Sequence, residues 1–543
     1  MPNSIDAILV VVYLVFIIGL SIYYTLKYKK QNSADDFLTG GRHMNWRQTG
    51  MSLIGMMFDP GIMGNSAFAF VWGYYVVQWN AVNIWFTAPF AAMFFIAIYW
   101  RSKITTTTEY LEKRFNYASR AIFSLIMIFM LISWLAYGVY MGGVILKNFL
   151  GWDLFTGSLL MISICAFMVI LGGVRTMLSL SIVQTFLLIA AILGVGVAGF
   201  ILVGGFPGIK EMTDVGRAGT EIKSLIPPMN FNLFSQDLYP FPAIPFCIIA
   251  GMSWIVCNFS MGQRLLAAKD ESHAQKSLIM AGVANAIILL LAYTAGVAMR
   301  KIAPEINGDD AFMQLLLKFP IGVKGLLLIG LIAALLSSKT GLLAASGTLF
   351  VQDIYARIIK KGASQKHLTM VVRIVELIIV VIVILTLPFF QNASEQKVPA
   401  YELIQVLMGD VLGVIIAIYL LGVFSKRSTP WATFTAVIVS MLVGVYLHYF
   451  LKVPDASGNM IGLNFWVVGT VEFIMVIVLG LLFSYFEKPK TDVELSNLTV
   501  WTLSDIKGPW IGLKSWPKLW RWMIALPLGW LLVTFVWELY MNM

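Results

Sequence analysis

The chain has little of the charge and reactive chemistry on which soluble enzymes depend. Only 12% of its 543 residues are charged, four are histidine and three are cysteine. So low a charge excludes a soluble globular protein. Cys165, Cys247 and Cys257 all fall in apolar stretches, where they are expected to pack rather than to form disulfides. The chain also lacks a metal-ligand spacing of histidines, a nucleotide-binding motif and any arrangement that indicates a catalytic triad. We therefore expect no enzyme and no cofactor.

Apolar residues are abundant instead, at 59% of the chain, with a mean hydropathy of +0.82. This composition is typical of an all-α polytopic membrane protein. The formal charge of +10 would suggest nucleic acid as the partner of a soluble chain. In a membrane protein it indicates cytoplasmic loops rich in lysine and arginine, so we expect a lipid bilayer, no nucleic acid and no obligate protein partner.

Apolar stretches long enough to cross a bilayer recur about fourteen times. The first, 5–26, has no basic segment before it, so we interpret it as a retained lead helix rather than a cleaved signal. Ten stretches follow, numbered here as core helices 1 to 10: 45–73, 77–99, 119–147, 155–173, 178–204, 240–262, 274–300, 320–356, 367–391 and 402–424. Three trailing helices are predicted near 429–451, 463–486 and 517–541.

Loops that are rich in lysine and arginine alternate along the chain with loops that contain few basic residues. The rich loops contain Lys27, Lys29, Lys30, Arg42, Arg101, Lys103, Lys113, Arg114, Arg264, Lys269, Arg357, Lys360, Lys361, Lys366, Lys426, Arg427, Lys488 and Lys490. By the positive-inside rule these loops are cytoplasmic. Both termini then lie outside the cell's inner (plasma) membrane, and 205–239 forms a long extracellular loop.

Core helix 8 contains a polar turn in an otherwise apolar stretch. Adjacent hydroxyls at Ser337 and Ser338 offer neutral oxygens, which suit a hard monovalent cation. An ammonium group near mid-membrane, as at Lys339, costs at least about 2.5–3.5 kcal/mol. Such residues face the interior of a helix bundle and usually mark a solute or ion path.

Core helix 1 is predicted to be interrupted, because Asp59-Pro60-Gly61 lies in the middle of its apolar stretch. Proline removes a backbone donor, and broken backbone at membrane depth is tolerated only where it is buried or lines a cavity. Carbonyls freed there can bind a cation. An ordinary proline kink with an acid that reaches the surface is the alternative, which the central position of Asp59 disfavours.

Six stretches carry a family resemblance. They are Asp36–Arg42, Thr108–Phe115, Gly172–Gln184, Gln263–Lys269 with Ala274–Lys276, Ser337–Tyr355 and Leu420–Phe424. In this order they resemble the sodium:solute symporters, which include bacterial sugar, sialic acid and proline carriers. The resemblance implies two five-helix repeats of inverted topology, with one leading and three trailing helices. The expected regions are 1–44 (lead helix and loop), 45–204 (first repeat), 205–239 (extracellular loop), 240–424 (second repeat) and 425–543 (trailing helices).

The resemblance also implies a sodium site. It would use backbone carbonyls of core helix 1 together with a small residue and two hydroxyls of core helix 8. These positions fall on Gly55, Phe58, Ala334, Ser337 and Ser338.

A solute site is implied at four amides, on core helices 2, 6, 7 and 10. They are Gln78, Asn258, Asn285 and Gln405. Asn258 and Gln405 keep the residue type of the sugar-carrying relatives, whereas Gln78 replaces an acid and Asn285 a lysine. A hydrogen bond between helices is the alternative role for each amide.

The chain departs from the family at the coupling ion. A family Thr-Asp pair in core helix 5 is replaced by Leu180 and Ser181, and an apolar position has become Lys339. A lost acid and a nearby ammonium would weaken sodium binding. Lys339 can pair with Asp59 or Asp410, either as a structural pair or as a coupling group. The coupling candidates are thus Asp59, Lys339, Asp410 and Ser181.

Together these features predict a secondary active transporter that carries a small polar solute, sugar-like or another neutral polyol, inward with sodium. One alternative is the same architecture coupled to protons or to nothing, with Lys339 at the cation site. Another is a membrane sensor with a transporter-like fold. A sensor is expected to have a long cytoplasmic output domain, and the chain ends a few residues after its last span.

Overall fold

A computed structural model describes residues 4–28, 41–58, 61–216, 219–226, 233–234, 244–395, 400–454, 460–503 and 516–543. These ranges are almost entirely helical, which confirms the all-α fold. The lead helix is Ser4–Tyr28 and the trailing helices are Pro430–Val445 with a π-helical turn at Tyr446–Phe450, Phe465–Ser484 and Trp516–Asn542. Two short strands, Lys452–Pro454 and Met460–Gly462, pair antiparallel between the first two trailing helices.

The core helices follow the predicted order. Their bounds are Trp46–Met57 and Gly61–Trp72 (helix 1), Val77–Phe90, Ala91–Phe95 and Ile96–Arg101 (helix 2), Tyr117–Leu150 (helix 3), Leu154–Val203 (helices 4 and 5), Ile244–Met252, Ser253–Cys257 and Phe259–Leu266 (helix 6), Glu271–Ile302 (helix 7), Val323–Leu349 and Phe350–Ile359 (helix 8), Gln365–Glu395 (helix 9) and Ala400–Phe424 (helix 10). Short helices at Thr107–Arg114, Gly205–Lys210 and Ala311–Leu317 connect them. Among the described residues, nine helices are long and apolar enough to cross a membrane.

Core helices 4 and 5 form one run that is interrupted at a single residue. Gly173 has φ 63° and ψ −174°, a conformation that a residue with a side chain adopts only under strain. The predicted gap after 173 is therefore a one-residue break rather than a loop.

Core helix 8 lies at the centre of the molecule. In the most apolar 18-residue segment of core helix 8, 94% of the segment is buried in the protein, compared with 6% for the last trailing helix. It packs against core helices 3 and 5 and the lead helix. Its polar turn therefore faces protein on every side rather than lipid.

The lead helix is attached to the start of core helix 8 by a carboxylate. Asp6 is fully buried, and its Oδ1 accepts hydrogen bonds from the backbone N–H groups of Gly322 and Gly325 at 2.7 and 3.1 Å. These N–H groups have no partner within the helix, and a negative charge is favourable at a helix N-terminus. The two helices thus begin on the same side of the bundle.

Core helices 1 and 6, the first helix of each predicted repeat, are both broken. Helix 1 stops at Phe58 and resumes at Gly61, giving halves 1a (Trp46–Met57) and 1b (Gly61–Trp72). Asp59 and Pro60 lie outside the described residues. Helix 6 passes through a π-helical turn and leaves helical geometry at Asn258 (φ −60°, ψ 114°) before half 6b (Phe259–Leu266).

Candidate functional site

Three hydroxyl groups meet at a glycine of half 1a. The Oγ atoms of Ser181 and Ser337 are 2.6 Å apart, which joins core helices 5 and 8. A Cβ atom built on Gly55 would lie 2.2 Å from Thr185 Oγ1, 3.0 Å from Ser337 Oγ and 3.3 Å from Ser181 Oγ. We call Gly55, Ser181, Thr185 and Ser337 the hydroxyl cluster. It can form only because residue 55 has no side chain.

Half 1a supplies carbonyl oxygens beside this cluster. The helix ends at Phe58, whose N–H donates to Ile54 O at 3.1 Å. Residues in the last turn of a helix generally have carbonyls that lack a donor within that helix. Gly55 is among these residues, and Phe58 is buried at the end of the half-helix. Neutral carbonyl and hydroxyl oxygens together form an environment that suits a hard cation.

The other two residues of the predicted sodium site lie next to the cluster along core helix 8. Ala334 and Ser338 are both buried. Ser338 Oγ donates to Leu335 O of its own helix at 3.2 Å. The structure therefore brings Gly55, Ser337 and the coupling candidate Ser181 together, and adds Thr185. Thr185 lies four residues after Ser181, so the i, i+4 spacing on core helix 5 was the signal for it.

Arg264 is buried beside the hydroxyl cluster in half 6b, although the charge pattern assigned it to a cytoplasmic loop. That part of the prediction is wrong. Its Nε donates to the Ser52 carbonyl at 3.2 Å, one terminal nitrogen to the Ser260 carbonyl at 2.9 Å, and the other to the Ser337 carbonyl at 3.3 Å. Arg264 thus connects halves 1a and 6b to core helix 8. No carboxylate among the described residues pairs with it, so its charge adds to the repulsion that a bound cation would meet.

Lys339 lies on the opposite face of core helix 8 from Ser337, because two residues turn the helix by 200°. It is 1% exposed, and its Nζ donates to the Trp134 carbonyl of core helix 3 at 3.1 Å. Its methylene groups cross Gly138, where a Cβ would lie 1.6 Å from Lys339 Cε. Asp59 and the side chain of Asp410, the predicted partners of Lys339, lie outside the described residues.

The break in core helix 6 is stabilised by hydroxyls from neighbouring segments. Tyr99 Oη donates to the Val256 carbonyl at 3.0 Å and Thr107 Oγ1 to the Cys257 carbonyl at 2.9 Å. Asn258 caps half 6b, accepting at its Oδ1 from the Ser260 N–H at 2.9 Å. Its Nδ2 is buried and has no hydrogen-bond partner among the described residues.

Two more predicted solute residues are buried. Asn285 is 2% exposed on core helix 7, which packs against both halves of core helix 1. Its Oδ1 has no hydrogen-bond partner within the described ranges. Gln405 is 4% exposed on core helix 10.

Gln78 contacts the last trailing helix. Its Nε2 donates to the Leu225 carbonyl at 3.0 Å and to Thr534 Oγ1 at 3.1 Å, and its Oε1 accepts from Trp530 Nε1 at 2.6 Å. The side chain already has three protein partners. Gln78 therefore forms hydrogen bonds between protein segments, which was the alternative to solute binding for each amide.

Comparison with known proteins gives the same assignment as the motifs. The profile of the Sodium:solute symporter family matches residues 37–444, about three quarters of the chain. The chain belongs to the sodium:solute symporter family. It is accordingly a multi-pass membrane protein of a family that couples solute transport to sodium, and not an enzyme.

Individual relatives extend over most of the chain. A sodium/glucose cotransporter 4 of Mus musculus is 24% identical, over 92% of this chain and 78% of the relative. A sodium/myo-inositol cotransporter 2 of Sus scrofa is 26% identical, over 81% and 69%.

Solved structures have the same fold. A Na+-coupled sialic acid symporter in a substrate-bound outward-open state superposes with a TM-score of 0.76 at 21% identity, over 90% of this chain and 99% of that one. A nucleobase-cation-symport-1 family transporter gives a TM-score of 0.54 at 13% identity, over 85% and 97%.

Proposed function

We propose that this symporter carries a small neutral polar solute, a sugar or another polyol, inward together with sodium by alternating access. The observation that carries the proposal is the hydroxyl cluster at the end of half 1a. It offers several neutral oxygens to a cation at a helix break, and solute and ion sites of transporters lie at such breaks.

The solute class is supported by the buried amides. Asn258 Nδ2 and Asn285 Oδ1 are a donor and an acceptor without partners among the described residues. A buried polar atom without a partner costs about 1–3 kcal/mol, so these atoms are favourable contacts for solute hydroxyls. With Gln405 they form an uncharged set. Relatives named for glucose and myo-inositol transport fit an uncharged solute.

We place the protein in the plasma membrane with both termini outside, because the basic loops alternate accordingly. The lead helix and core helix 8 begin on one side of the bundle, as an even number of spans between their starts requires in either orientation. The two repeats are assigned to 45–204 and 240–424, flanked by 1–44, 205–239 and 425–543.

Coupling to protons, or to no ion, is the second candidate, and buried Lys339 supports it. Its position across core helix 8 from Ser337 argues against direct competition with a bound cation. Its ammonium contacts core helix 3 through the Trp134 carbonyl. Lys339→Leu should change the pH dependence of uptake if the ammonium cycles a proton.

Uptake by purified protein in proteoliposomes tests these assignments. Labelled glucose, myo-inositol and sialic acid are offered with sodium and pH gradients imposed separately. Ser337→Ala should raise the sodium concentration needed for half-maximal uptake, and Ser181→Asp, which restores an acid, should lower it. Ser133→Ala is the control, since Ser133 is a half-buried serine of core helix 3 that donates only to the carbonyl four residues before it. If solute uptake by the unmodified protein does not change with the sodium gradient, sodium coupling is refuted.

A further inference from the structure

A cleft of about 650 Å³ shares no lining residue with the hydroxyl cluster. Half 1a forms one wall through Trp46, core helix 7 forms the back, and the last trailing helix contributes Trp522. Along core helix 7 the lining changes from Ser272 and Lys276 at one end to Ile279 and Ile287 further along. One end of the cleft is polar and the other is apolar.

The dimensions of the cleft match one membrane leaflet. Residues 272 to 287 extend about 22 Å along a helix at 1.5 Å per residue. One leaflet, with its headgroups, is about 20–22 Å thick. Trp46 and Trp522, at the walls, are residues of the type that collects at the headgroup level.

The polar end is positively charged. Lys276 is exposed, and within the described ranges no carboxylate pairs with it. The Arg47 guanidinium lies 5.3 Å from the centre of the Trp46 ring, and exposed Arg521 precedes Trp522. Lys276 lines this end of the cleft, and Arg47 and Arg521 are sequence neighbours of the lining residues Trp46 and Trp522. A basic side chain near a membrane surface favours an anionic headgroup by about 1 kcal/mol.

We propose that this cleft is a binding site for one anionic phospholipid, with its phosphate at Lys276 and an acyl chain along Ile279 to Ile287. Met280 also lines the cleft and contacts half 1a. A Cβ built on Gly50, in half 1a, would be 3.0 Å from Met280 Sδ. Bound lipid would therefore stabilise the contact between half 1a and core helix 7.

The test compares phosphatidylglycerol with phosphatidylcholine, each added to the delipidated full-length protein. Phosphatidylglycerol should raise the Tm by roughly 2–4 °C more than phosphatidylcholine, and native mass spectrometry should find one retained copy. Lys276→Gln should remove most of this difference. Ala284→Leu, which adds volume inside the cleft, should reduce retention of either lipid.

Lys318→Gln is the matched control, since it removes one exposed lysine outside the cleft. Equal effects of the two lipids, unchanged by Lys276→Gln, would mean that only annular lipid is present and would overturn the proposal. Equal losses in Lys276→Gln and Lys318→Gln would indicate general charge attraction and would overturn it as well. Retention that persists in Ala284→Leu but fails in Lys276→Gln would remove the acyl-chain assignment, and with it the site.

Discussion

Gly55 determines whether the hydroxyl cluster can form. A methyl group there would overlap Thr185 Oγ1 and press on Ser337 Oγ. We predict that Gly55→Ala raises the sodium concentration for half-maximal uptake by roughly tenfold, which corresponds to about 1.4 kcal/mol, the scale of one displaced buried hydrogen bond. Sodium titration of proteoliposome uptake measures this.

Gly19→Ala provides the control for this variant. Gly19 is on the lead helix and nothing lies within 4 Å of a Cβ built there. The same change should leave the sodium dependence unaltered. An unshifted sodium requirement in Gly55→Ala would mean that the cation binds elsewhere.

Gly138 has the corresponding relation to Lys339. Because the lysine crosses it, Gly138→Ala should reduce the free energy of unfolding by roughly 1–3 kcal/mol through overpacking. In a Lys339→Ala background the same change should cost less than about 1 kcal/mol, since the obstructing side chain is gone. Thermal unfolding of the four proteins in detergent gives the comparison. Equal costs in both backgrounds would contradict the packing described here.

At the scale of elements, the two helix breaks differ in how far the sequence reveals them. Helix 1 carries Asp59-Pro60-Gly61 inside an apolar stretch, and its break was predicted. Helix 6 carries no such motif at Asn258, where its described break lies. The break contains no proline or glycine and depends on Tyr99 and Thr107, which belong to other segments. Only tertiary structure supplies such partners.

Arg264 shows the same limit for charge patterns. An arginine near the end of an apolar stretch predicts a residue at the cytoplasmic surface of the membrane. Helix 6b is short, however, and its polar side chains are buried in the protein. The guanidinium then finds carbonyls on three helices. A basic residue predicts a loop correctly where its side chain is exposed, as for Arg427. The prediction is wrong where the end of a helix is buried, as for Arg264.

We predict that Arg264→Gln reduces the free energy of unfolding by roughly 1.5–3 kcal/mol, because hydrogen bonds from a charged donor to buried carbonyls are lost. Arg264→Lys should restore only part of this, since a single ammonium cannot reach three diverging acceptors. Thermal unfolding with and without saturating sodium measures both.

Arg427→Gln is the comparison for Arg264, because exposed Arg427 donates to the single carbonyl of Tyr485. Its loss should cost less than about 0.5 kcal/mol. Equal stability losses in the two glutamine variants would show that burial of Arg264 contributes nothing.

At the scale of the whole molecule, hydropathy predicted the ends of the helices to within a few residues. Core helix 3 was predicted at 119–147 and spans Tyr117–Leu150, and core helix 9 was predicted at 367–391 and spans Gln365–Glu395. The order of helices and the family motifs then imply the fold. They do not say which side chain of a helix meets which neighbour, and for that reason Gln78 and Asn258 were both predicted to contact the solute.

Gln78 therefore provides the test of how the trailing helices support the core. Its three hydrogen bonds join core helix 2, the 219–226 segment and the last helix, so Gln78→Ala should cost roughly 1–3 kcal/mol of stability. Trp530→Phe removes one of the same bonds. The double variant should therefore be less destabilised than the sum of the two single variants. Thermal unfolding measures this coupling, and solute uptake by the same proteins gives an independent readout. Strictly additive losses would contradict the shared contact. A raised KM for solute in Gln78→Ala, without loss of stability, would instead return Gln78 to the solute site.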